Sequence, residues 1–202
     1  MSGDFSDQEQ YTEQVVLLDG QAISFPYHEP HPLQSSVLAQ GDAVKSISAG
    51  YSDGSPYYDN ITGMPVTNGP IYLCFQNLFK IHPVLDNIFI TILQHDPEGH
   101  VVLQAARVYN KTKRVINRFQ SRVREKMCFN SNNLCYEARR ILSRIHFIPR
   151  VQSQHLQKVY EKADVVLHPF PFGGSKTASD ALKLGIPLVT WPQPYLRGKY
   201  SM

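Results

Sequence analysis

Apolar residues fall in two registers along this chain. Up to about residue 70 they are sparse and irregular. From Ile71 onward, short continuous apolar runs alternate with stretches in which apolar residues recur every three or four positions. A short continuous run reads as a strand covered on both faces, and a three-to-four repeat as a helix with one buried stripe. The expected strands are therefore Ile71–Phe75, His100–Ala105, Ile145–Ile148, Asp164–His168 and Pro187–Trp191. One helix is expected to run to about Gln94 from Pro83, whose fixed φ suits a first turn. A second covers Thr112–Met127, with Val115, Phe119 and Val123 on its buried stripe, and a third Cys135–Arg144. Ser153 reads as the cap of a helix through Lys162, and Ser175–Leu184 as a last helix stopped by Gly185. Asp96-Pro97-Glu98-Gly99 is a turn signal, and Cys128–Leu134 reads as an irregular insertion.

Strands and helices in strict alternation predict an α/β fold: a Rossmann-like parallel sheet with helices on both faces. Ligands of such sheets sit beyond the carboxyl ends of the strands, so chemistry is expected in the loops that open the helices. The chain divides into residues 1–70, a loop-rich extension with one expected strand at Gln14–Leu18, and residues 71–202, the main domain. Tyr51-Ser52-Asp53-Gly54-Ser55-Pro56 within the extension is loop chemistry. No helix follows the last expected strand, so the domain is expected to be truncated at its C-terminus.

Composition changes this picture little. With 42% hydrophobic and 18% charged residues, the 202-residue chain is an ordinary globular sequence. Its formal net charge of +3 is too small to imply nucleic acid by itself. Three scattered cysteines, Cys74, Cys128 and Cys135, do not make a disulfide framework or zinc knuckle. Met1–Gln10 has neither the basic nor the apolar region of a signal peptide, and no apolar run reaches the roughly 20 residues of a membrane span. The expected compartment is the cytoplasm or nucleus, and no membrane partner is expected. His28 and His31 sit among Pro30 and Pro32 in a loop, and no metal site is expected.

The densest chemistry lies between Ala163 and Thr190. A buried strand ends at Pro169, and Gly173-Gly174 lets the backbone approach a ligand closely. Ser175, Lys176 and Thr177 open a helix, whose free amides and dipole favour an anion such as phosphate. Asp180 lies one turn below Thr177 on the same face, where a carboxylate can accept ribose hydroxyls. A capped strand–turn–helix without a ligand would carry the same residues, so the loop alone does not decide. It is not a Walker A loop, because Gly174 is followed by Ser175 rather than Lys.

Phe170-Pro171-Phe172-Gly173-Gly174, Thr177, Asp180-Ala181-Leu182, Leu184-Gly185-Ile186-Pro187 and Val189-Thr190 occur in the order found in the catalytic region of the O-GlcNAc transferase family. This segment resembles that family, and Leu196-Arg197-Gly198-Lys199 resembles the stretch that follows there. Phe75-Gln76-Asn77-Leu78-Phe79-Lys80-Ile81 resembles the family's Phe-Asn-x-x-x-Lys-Ile, and Arg144–Val151 the strand and loop beside the base. The resemblance covers about two-thirds of the chain, Ile71–Met202. It implies the C-terminal, nucleotide-binding half of a GT-B glycosyltransferase that moves a sugar, N-acetylglucosamine above all, from a UDP donor to Ser or Thr of acceptor proteins. It implies Lys80 as the catalytic lysine on the leaving diphosphate. It implies a UDP-sugar site made by Asn77, Arg150, Val151, Gly173, Gly174, Ser175, Lys176, Thr177 and Asp180, with no obligatory metal or other cofactor. This chain departs from the family in carrying Ser175-Lys176-Thr177 where His-Thr-Thr is usual, and Asn77 where Gln is frequent. Most of the family's N-terminal half has no counterpart here.

A competing feature is the basic helix. Arg107, Lys111, Arg114, Arg118 and Arg122 follow helical spacing, and Lys113, Arg124 and Lys126 add to them against one acid, Glu125. A nucleic-acid or acidic-partner surface would look like this, and so would the solvated face of an amphipathic helix. No aromatic residue interleaves the basic positions, so nucleic acid is not an expected partner.

Overall fold

The computed structural model describes residues 47–48, 58–128 and 132–191. Its strands are β1 (Ile47–Ser48), β2 (Ile71–Cys74), β3 (His100–Gln104), β4 (Ile145–Ile148), β5 (Val165–Leu167) and β6 (Leu188–Val189). Its helices are α1 (Leu85–His95), α2 (Tyr109–Met127), α3 (Asn132–Ser143), α4 (Ser153–Glu161) and α5 (Ser175–Lys183). The sheet order among the described residues is β1-β4-β3-β2-β5-β6. β2 to β6 are all parallel, and β1 pairs antiparallel with β4 at one edge. Taken in chain order, the five parallel strands lie 3-2-1-4-5, which is the order of a Rossmann half plus its crossover. The fold is therefore α/β with a Rossmann-like sheet.

The continuous apolar runs follow from burial on both faces. Cys74, Val101, Leu103, Ile145 and Phe147 point to one face, under Leu85, Phe89, Ile116, Phe119, Val123, Ile141 and Leu142 of α1, α2 and α3. Leu73, Phe75, Val102, Ile148 and Val166 point to the other, under Val159 and Tyr160 of α4 and Ala181 of α5. Arg144 closes the end of α1: its guanidinium donates to the carbonyls of Leu93 at 2.7 Å and Asp96 at 2.8 Å.

Several element ends differ from the pattern. α1 begins at Leu85, because Pro83 sits in a preceding turn where His82 O accepts the Leu85 amide at 2.9 Å. α2 begins at Tyr109, ahead of Thr112, whose hydroxyl accepts the Ala106 amide at 2.9 Å and ties the helix to the loop before it. α3 begins at Asn132, so the insertion is shorter than Cys128–Leu134. Ser153 is the first residue of α4 rather than its cap; Gln152 holds that position without a side-chain bond. β6 is only two residues long, with Val189 largely exposed. Gly185 does end α5, at φ 71°, with the Ile186 amide on Ala181 O and the Gly185 amide on Leu182 O.

Residues 58–70 pack on the sheet. Met64 is fully buried among Val102, Ile148 and Tyr160, and Lys162, just after α4, pairs with Asp59 at 2.8 Å. The expected strand Gln14–Leu18, the loop at 51–56, His28, His31 and the stretch Leu196–Lys199 lie outside the described residues. Among the described residues no helix is long and apolar enough to cross a membrane.

Candidate functional site

β2 lies in the middle of the sheet with β3 on one side and β5 on the other. The chain leaves β2 for the face covered by α1 and leaves β5 for the face covered by α5. The two connections part in opposite directions, the arrangement that leaves a crevice at the strand tips of such sheets. That is the topological switch point at which sheets of this kind hold their ligands.

Side chains from both connections meet there. After β2 the chain makes a 3-10 turn, Leu78–Lys80. Lys80 Nζ donates to Gly173 O at 3.1 Å across 93 residues of sequence and lies 4.5 Å from the Phe172 ring centre. Partial burial draws the Lys80 ammonium below the usual lysine range. Gln76 is buried, and its amide donates to the Thr177 hydroxyl, which in turn donates to Gly174 O at 3.2 Å.

The loop before α5 is built tightly around these bonds. A Cβ on Gly173 would come within 2.2 Å of His168 Cε1, and one on Gly174 within 2.2 Å of the Gln76 amide nitrogen. His168, buried at the end of β5, accepts the Gly174 amide on Nε2 at 2.7 Å, and its Nδ1 lies 3.3 Å from the Thr190 hydroxyl. Burial lowers the His168 pKa; the Gly174 carbonyl, 3.1 Å from Nε2, opposes this by favouring a protonated ring, and Lys80 adds to the lowering. The first helical bond of α5 runs from Ala178 to Gly174 O at 3.1 Å. Among the described residues, the amides of Ser175, Lys176 and Thr177 therefore have no acceptor at the positive end of the helix dipole.

The expected site residues separate into groups. Lys80, Gly173, Gly174, Ser175 and Thr177 converge on the crevice. Lys176 is exposed on α5 and pairs at 2.9 Å with Asp180, whose carboxylate is mostly covered. The Asn77 side chain is exposed while its carbonyl accepts the Lys80 amide at 2.9 Å, so the neighbouring Gln76 is the amide turned inward. Arg150 and Val151 follow β4, two strands from β2, with Val151 against the core and Arg150 exposed. One turn into α4 from there, His155 is buried with an unpaired Nδ1. Gln76, His168 and His155 escaped the sequence reading. Their signal was a polar residue just past a buried strand for the first two, and for the third its place one turn before buried Val159. Among the described residues, no group of three His, Cys, Asp or Glu could hold a metal ion.

No protein-family model and no curated protein matches this sequence. Among solved structures, the chain is similar to a variant of the O-GlcNAc transferase of Thermobaculum terrenum, with 22% identity and a TM-score of 0.49. The likeness covers 76% of this chain and 26% of that one, so this chain spans about a quarter of that structure's length.

Proposed function

We propose that this chain forms the donor-binding half of a GT-B glycosyltransferase that moves a sugar, N-acetylglucosamine in the first instance, from a UDP donor to Ser or Thr hydroxyls of proteins. The observation that carries this reading is the crevice at the switch point, where a half-buried lysine and the unused amides of a helix N-terminus share one glycine loop. Such a site offers concentrated positive potential and free donors in a partly dry setting, which suits a diphosphate. The sequence resemblance to the O-GlcNAc transferase family supplies the sugar and acceptor.

In this reading the diphosphate replaces Gly173 O as the partner of Lys80 Nζ and takes the Ser175–Thr177 amides. Asp180 orients the ribose with the oxygen that Lys176 leaves free. Arg150 and Val151 flank the base. The acceptor hydroxyl attacks the anomeric carbon, the bond from that carbon to the phosphate oxygen breaks, and the electron pair leaves with UDP. Lys80 and the amides stabilise the charge that develops there. The acceptor proton goes to a base on the other half of the enzyme, and the configuration inverts.

Calorimetric titration with UDP tests the reading, with Lys80→Ala and Asp180→Ala beside the unaltered chain. Saturable binding that each variant weakens roughly tenfold or more is the expected result, since each loses a charge-assisted bond. A folded chain that takes up no UDP, or variants that bind it as well as the parent, would overturn it.

A further inference from the structure

Charge is sharply segregated in this molecule. Residues 109–143, which hold α2 and α3, carry nine Lys and Arg against two Glu, a net of +7. The rest carries eleven Lys and Arg against fifteen Asp and Glu, a net of −4. The modest overall charge therefore hides one strongly basic layer.

The structure trims and completes the stripe read from sequence. Arg107 precedes α2, Arg122 turns inward to buried Asp86, and Lys126 bonds Asn87 at 2.6 Å. Lys111, Lys113, Arg114 and Arg118 remain exposed, and none has an ion-pair partner among the described residues. α3 packs beside α2 over the same sheet face and exposes Arg139 and Arg140. On α3, Tyr136 is 66% exposed, three and four residues before these arginines and hence on their face. The aromatic residue missing from the basic helix is thus supplied by its neighbour.

We propose that the outer face of α2 and α3 binds a single strand of nucleic acid. Lys111, Arg114 and Arg118 form one exposed row about 10 Å long, with Lys113 beside it on the same helix, the axial length of roughly three phosphates of one strand. Cations track the phosphates, and Tyr136 gives a base a ring to stack on. An acidic polypeptide would satisfy the cations but has no planar base for Tyr136. This surface is separate from the switch-point crevice and does not depend on how that site is read.

Fluorescence anisotropy with labelled oligo-dT and oligo-U of 20 nucleotides, and with poly-glutamate, tests it on the full chain. With about four cations engaged, affinity for either oligonucleotide is expected to fall roughly 50-fold between 50 and 200 mM salt. Arg114→Gln with Arg118→Gln should flatten the log–log salt slope by about 1.4. Tyr136→Ala should weaken oligonucleotide binding at least fivefold at fixed salt, leaving the slope and any poly-glutamate binding unchanged. Failure of the folded chain to bind either oligonucleotide at 50 mM salt overturns the proposal. Poly-glutamate binding as tight as the oligonucleotides', with no effect of Tyr136→Ala, also overturns it and assigns the face to an acidic polypeptide. Binding of one oligonucleotide over the other still supports it and tells RNA from DNA.

Discussion

Gly174 sits where three partners have already taken the space a side chain needs. Its amide is on His168, its carbonyl accepts from Thr177, and a methyl group would meet the ends of the Gln76 and Thr177 side chains at 2.2 and 2.3 Å. Its backbone, φ −119° and ψ 107°, is open to any residue, so a substitution is resisted by crowding alone. Gly174→Ala should fold, lose about 1–2 kcal/mol of stability as the Gln76 amide is displaced, and lose most of its affinity for UDP. Urea denaturation and a UDP titration would check both; an unchanged midpoint with unchanged affinity would mean the Gln76–Thr177 contact is not made in solution.

At the scale of elements, α1 and α2 are clasped by one ion pair. Asp86 is fully buried, and Arg122 reaches it with Nε at 2.5 Å and Nη2 at 3.2 Å while staying partly exposed itself. Removing the arginine strands a buried carboxylate, whereas removing both charges leaves an apolar contact. Arg122→Met should cost about 3 kcal/mol or more, and adding Asp86→Leu should restore most of it. Equal losses in the single and double variants, read from denaturant curves, would sink this account. The same clasp shows what the sequence pattern could and could not convey. Among the described residues, periodicity located every α-helix and parallel strand, because burial on one stripe or both faces leaves a direct mark on residue type. It placed Arg122 in the basic stripe, because spacing records a helix face but not the acid waiting on the next helix. The family resemblance pointed to Asn77 and not to Gln76, because which of two adjacent amides turns inward is set by the backbone after β2, which the motif does not encode. The bond between Lys80 and Gly173 joins segments far apart in sequence and needed the sheet order to be seen.

Across the whole molecule, a row of polar groups ties residues 58–66 to the sheet. The Tyr58 hydroxyl lies 3.1 Å from His146 Nδ1, and His146 Nε2 lies 2.9 Å from His100 Nδ1. With both rings neutral, Tyr58 donates to His146 and His146 to His100, and every link has one proton. Burial, and then His100, holds the His146 pKa down at about 3, and burial raises that of Tyr58 to about 12. Beside them Arg144 lowers the His100 pKa further after burial, against Glu98 and Asp96. The unfolded chain takes up a proton at His146 below about pH 6.5, and the folded one only near 3. Its stabilising effect is thus fully present above the unfolded pKa and is lost as pH falls toward the folded one. Unfolding free energy should drop by about 1.4 kcal/mol per pH unit below pH 6, and His146→Gln should flatten that slope. A parent chain equally stable at pH 7 and pH 5 would contradict the arrangement.

The strand order has a further consequence, for synthesis. β2 is made early, but its second neighbour, β5, is made more than ninety residues later, after β3 and β4 have filled the other side. Until β5 leaves the ribosome, β2 presents an unpaired, apolar edge to whatever strand comes near. The crevice likewise cannot exist before α5 has been translated. A nascent chain stalled between β4 and β5 would be an aggregation hazard without a ligand site, and chaperone occupancy should peak in that window.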